Sequence, residues 1–63
     1  MKVGNKLRRL RVQKNMTQQE LADTLGLSVS AISSYELGVR VPSDKVKKQY
    51  SLYFNRSIED LFF

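Results

Sequence analysis

Eleven lysines and arginines, six carboxylates, no histidine and no cysteine decide what chemistry this chain of 63 residues can do. Without imidazole or thiolate there is no usual ligand set for a zinc or haem site, and no disulfide framework to staple a small fold. Nucleophilic and general-base catalysis would rest on the six carboxylates, which show no evident pairing, so neither an enzyme nor a metal or cofactor is expected. What remains is ionic and hydrogen-bonding recognition. The formal net charge of +5 favours partners that carry phosphate or other anionic groups. Six of the eleven cations, Lys2, Lys6, Arg8, Arg9, Arg11 and Lys14, fall in the first fourteen positions, and the other five, Arg40, Lys45, Lys47, Lys48 and Arg56, lie from position 40 onward. Lys2, Lys6 and Arg8 read as the solvated face of a helix. Between Asn15 and Val39 there is no cation, and the polar side chains are amides, hydroxyls and the three carboxylates Glu20, Asp23 and Glu36.

The elements that must position these groups are short helices. Val3, Leu7 and Leu10 recur at helical spacing with basic residues on the other faces, which predicts an amphipathic first helix over about Asn5 to Lys14. Thr17 followed by Glu20 is a capping box, and Met16 with Leu21 stands as a hydrophobic staple. Leu21, Ala22 and Leu25 give the second helix an inward face, and Gly26 supplies the left-handed exit. Ser28 caps a third helix whose Ile32, Tyr35 and Glu36 lie one turn apart, and Gly38 ends it. Two helices joined so abruptly cross steeply, as in a helix-turn-helix. Ser43 caps a fourth helix carrying Val46, Tyr50, Tyr53 and Phe54, Asn55 takes the exit, and Ser57 caps a last turn over Ile58 to Phe63. No apolar run exceeds three residues, as at Leu61 to Phe63, against roughly 20 for a membrane span. With no signal-peptide core at the start, a cytoplasmic location is expected.

From Gln18 to Leu37, small Ala22 falls where two helices approach, Gly26 in the turn, and Leu21, Leu25, Ile32 and Tyr35 inward. The stretch TQQELADTLGLSVSAISSYELGVRVPS, with SIEDLF near the end, resembles the Cro and phage-repressor family of helix-turn-helix regulators, over about positions 5 to 62. The resemblance implies one all-α, five-helix domain of the lambda-repressor kind over residues 1 to 63, with the motif at 17 to 37. Its partner is double-stranded DNA, its third helix lies in the major groove, and on DNA it is nucleoid-associated. No membrane or small-molecule partner is implied.

Position by position, Gln18 matches a family residue that holds a phosphate and reaches toward a base, as an exposed helix N-terminus favours. Ser28, Val29, Ser30, Ser33 and Ser34 occupy the start and outer face of the recognition helix, where hydroxyls meet base edges and Val29 a thymine methyl. The family's bidentate readers are missing there, so specificity leans on DNA shape, bridging water, and Gln18 or Gln19. Arg11 and Glu36 match a structural salt bridge that links helix one to the end of helix three. Leu37 replaces a frequent asparagine that touches phosphate, and Arg40 is the expected substitute. Leu52, Phe62 and Phe63 are hard to bury and read as a self-associating patch, which predicts a homodimer on a near-palindromic operator. A repressor is expected over an activator, since a small protein occludes a promoter more readily than it recruits polymerase. The alternative is a protein-interaction module, such as an antitoxin or adaptor, with DNA binding secondary.

Overall fold

The computed structural model describes residues 3–63, so Lys2 lies outside the described residues. Five helices follow one another: α1 (Val3–Gln13), α2 (Gln18–Leu25), α3 (Val29–Leu37), α4 (Asp44–Phe54) and α5 (Ile58–Phe62). Among the described residues there is no strand, so the fold is all-α. Local signals explain where the helices begin. Thr17, Ser28, Ser43 and Ser57 hold extended backbone, and their hydroxyls accept from the amides of Glu20, Ala31, Val46 and Asp60. Each bond satisfies one of the orphan donors of a helix start. Gly26, Gly38 and Asn55 supply the left-handed exits. Asn15 does the same after α1, at φ 58, an exit the sequence reading does not assign.

Helix α1 packs on α3 and α5, α2 on α3, and α4 on α5. Leu7, Leu21, Ile32, Tyr50 and Leu61 are completely enclosed. Two expectations need correction. Val3 sits at the edge of the inward stripe, 36% exposed, and its neighbour Gly4 is the buried residue facing α3. Phe62, expected in an exposed patch, is buried: its ring meets Tyr50 edge-on at 6.0 Å between centroids. One turn of α5 is enough to fold that side chain back over α4, and only Phe63 and Leu52 stay outside, at 81% and 74% exposure.

Tyr50 is the centre of this aromatic core, stacked with Phe54 and edge-on to Tyr35. Its hydroxyl is buried with no hydrogen-bond partner among the described residues. Burial pushes the phenol well above its ordinary range, and the negative charge of Glu36 and the neighbouring Tyr35 push the same way, against an opposing pull from Arg11. A phenol that resists ionisation only in the folded state contributes stability that is fully present below the unfolded value near 10 and lost as pH rises past it. Removing an unsatisfied buried donor is favourable. Tyr50→Phe is therefore expected to raise unfolding stability by about 1 kcal/mol at neutral pH. It also removes a decline of about 1.4 kcal/mol per pH unit above roughly pH 10. Urea unfolding of both proteins across that range checks each part.

Candidate nucleic-acid interface

The surface formed by the start of α2 and the outer face of α3 carries the polar groups singled out above. Helix α3 buries Ala31, Ile32, Tyr35 and Glu36, which leaves Ser30 exposed and Val29, Ser33 and Ser34 half-exposed on the opposite side. At the start of α2 the capping box is complete: Thr17 Oγ1 accepts from the Glu20 amide at 3.0 Å and Glu20 Oε1 accepts from the Thr17 amide at 2.8 Å. The amides of Gln18 and Gln19 have no partner within the helix, so the positive end of α2 presents donors beside α3.

Glu36 ties these elements together. Arg11 Nε donates to its Oε2 at 2.7 Å and Arg11 Nη2 to its Oε1 at 3.0 Å, a bidentate pair between α1 and α3. Arg11 Nη1 donates to the carbonyl of Met16 at 2.8 Å, which anchors the link between α1 and α2. The hydrogen bonds to Glu36 hold the Arg11 guanidinium charged still more firmly than an ordinary arginine, even against the cost of burial. Gln18 Nε2 donates to the same Glu36 Oε1 at 3.1 Å. The start of α2 is thus bonded to the end of α3, and the second N–H of the Gln18 amide is left for a ligand.

The other expected residues fare unequally. Gln19 is exposed, and its Nε2 donates along α2 to Asp23 at 2.8 Å. Ser28 is exposed with its oxygen engaged as the α3 cap. Val29 packs partly against the core, which leaves only part of it for an outside contact. Arg40 lies on the loop beyond α3 with its guanidinium over the Tyr35 ring, 5.4 Å from the centroid. Leu37, Val39 and Val41 leave that loop with an apolar exterior. Leu52 and Phe63 stand outside this surface.

The helix-turn-helix family profile matches residues 7–61, nearly the whole chain. The chain belongs to the helix-turn-helix family. This is the family of the Cro and phage-repressor resemblance, whose members are DNA-binding regulators and not enzymes. Among relatives, the chain is 39% identical over 61 residues to the HTH-type transcriptional activator BcrR of Enterococcus faecalis, covering 97% of this chain and 30% of that protein. It is 40% identical over 58 residues to an uncharacterized HTH-type transcriptional regulator of Methanocaldococcus jannaschii, covering 92% of this chain and 88% of that one. A third, the uncharacterized HTH-type transcriptional regulator YqaE of Bacillus subtilis, is 40% identical over 55 residues, covering 87% and 47%. The chain therefore spans under a third of BcrR and most of the Methanocaldococcus protein. No described helix is long and apolar enough to cross a membrane.

Two residues beside the α3 face of this helix-turn-helix domain receive no binding role from the sequence, in which Asn5 is unassigned and Arg8 reads as part of a solvated helix face. Asn5 and Arg8 of α1 line a notch with Gln18, Ser33 and Leu37, on the same side as the serine face. The available signal was the spacing of Arg8 three residues before Arg11, which puts both on one side of α1.

Proposed function

We propose that this chain is a sequence-specific regulator that places α3 in the major groove of double-stranded DNA. The observation that carries the reading is the outward serine and valine face of α3, bonded through Glu36 to Gln18 at the donor-rich start of α2. In that arrangement Gln18 and the α2 amides hold a phosphate while Ser30, Ser33, Ser34 and the free part of Val29 face base edges. Ser28 and Gln19 flank them, and Arg40 adds a backbone contact that sets affinity without sequence choice.

The chain acts as a homodimer in this proposal, with exposed Leu52 and Phe63 as the self-associating residues. A Cα extent of 25 Å, widened by side chains, suits two copies side by side with their α3 helices one turn of DNA apart, about 34 Å. A near-palindromic operator follows. Repression by occlusion needs only the DNA-bound surface, whereas activation needs a further contact with polymerase, so we assign the chain as a repressor.

Selection of the purified protein on a random duplex pool, with sequencing, tests this. The expected result is a palindromic motif, bound about two- to tenfold more weakly by Gln18→Ala, the range of one hydrogen bond. Enrichment of no motif at all would refute specific readout and favour the protein-interaction alternative.

A further inference from the structure

The notch between α1, α2 and α3 is lined by Asn5, Arg8, Arg11, Gln18, Ser33, Glu36 and Leu37 and encloses about 330 Å³. Its carboxylate already accepts three hydrogen bonds. Glu36 Oε2 accepts from Arg11 Nε, and Oε1 accepts from both Arg11 Nη2 and Gln18 Nε2. Each nitrogen of Arg11 already donates once, Nη1 to the Met16 carbonyl, and its charge is paired with Glu36. The Arg11 and Glu36 charges cancel, and the lining keeps one uncompensated charge, Arg8. The exposed Arg8 side chain makes no hydrogen bond or ion pair among the described residues. Around it are donors without an acceptor: the second N–H of Gln18, the Ser33 hydroxyl and the Asn5 amide. Leu37, 74% exposed, forms an apolar wall that offers no donor of its own.

We infer that this notch seats one phosphate of the DNA backbone and that Arg8 is the cation that holds it. A planar guanidinium suits a phosphate through paired N–H donors, and the notch opens on the side of α3 that carries Ser33. Arg40 is differently placed. It stacks on Tyr35 and lines a separate, largely apolar pocket with Val41, Pro42 and Phe62. Arg8 therefore supplies, from α1, the phosphate contact that the apolar Leu37 lacks. The inference rests on the DNA-binding reading above.

Affinity of the full chain for a short random-sequence duplex, measured by fluorescence anisotropy over about 50 to 200 mM salt, tests it. Loss of one phosphate contact lowers the slope of log affinity against log salt by about 0.9. Arg8→Gln is expected to show that loss, so the wild-type advantage shrinks roughly 3.5-fold across that salt range. Arg8→Lys recovers most of the slope, and Arg56→Gln, which removes an equal charge from a different notch with Lys6 and Arg9, leaves it unchanged. Position 8 is an exposed helix site, so thermal melting of the variants should match wild type. A folded Arg8→Gln protein with the wild-type slope, or an equal drop in Arg56→Gln, overturns the Arg8 assignment alone. A wild-type chain that does not bind the duplex overturns the DNA-binding reading with it.

Discussion

Arg11→Ala is expected to lower unfolding stability by about 3–5 kcal/mol, because it leaves Glu36 as a buried carboxylate without its cation. The Glu36 side chain is only 3% exposed and that of Arg11 only 11%. A chain of 63 residues has a total of about 3–9 kcal/mol to lose at typical stability per residue, so this single change removes most of its cooperative folding near room temperature. Arg11 also joins three places at once: its own helix, the Met16 carbonyl before α2, and the end of α3. Lysine cannot reproduce that fork, so Arg11→Lys should recover only part of the loss. Replacing both partners by apolar residues of similar volume, Arg11→Met with Glu36→Leu, should recover much more, because it leaves no buried charge behind. Urea unfolding of the set separates these outcomes. An Arg11→Ala protein within about 1 kcal/mol of wild type would mean that the pair is solvated in solution, as surface pairs are.

Gly4→Ala has the second large effect, through space rather than charge. A Cβ built on Gly4 would stand 2.3 Å from the Glu36 carbonyl oxygen and 2.7 Å from that of Tyr35. Both obstacles are backbone, so neither can rotate away, and α1 must lift off the end of α3. Alanine in a helix gains up to about 1 kcal/mol over glycine. Overpacking typically costs about 1–3 kcal/mol, and contacts this short fall at the upper end. The net expectation is a loss of about 2 kcal/mol, with the α3 amides around Tyr35 and Glu36 shifted in NMR spectra. Glu36 holds Gln18, so DNA affinity should fall as well, even under conditions where the variant remains folded. A stabilised Gly4→Ala protein would show that the close approach of the two backbones is absent in solution.

These two positions also mark what a sequence can and cannot reveal here. The caps at Thr17, Ser28, Ser43 and Ser57 and the exits at Gly26, Gly38 and Asn55 are local devices, readable because each works within a few residues. The steep α2–α3 turn follows from them. Gly4 carries no such signal: a glycine has no hydrophobicity, and the periodicity points to Val3 beside it. Phe62 fails for a related reason, since its burial depends on how α5 turns against Tyr50, a contact spanning twelve residues. At the interface, the outer face of α3 follows from helical spacing, and the Arg11–Glu36 match comes from resemblance to the family. The bond from Gln18 to Glu36 and the notch at Arg8 exist only once α1, α2 and α3 converge. Residues that act through the meeting of three helices are the ones a linear pattern does not disclose.

In the proposed complex the start of α2 and the outer face of α3 form the DNA-binding surface. Titration of the isotope-labelled chain with the duplex enriched from the random pool, followed by amide NMR shifts, tests it most directly. The largest changes are expected at Gln18, Gln19 and Ser28 through Ser34, with smaller ones at Arg8 and Arg40. Changes confined to α4 and α5 around Leu52 and Phe63, with α3 unmoved, would contradict this assignment.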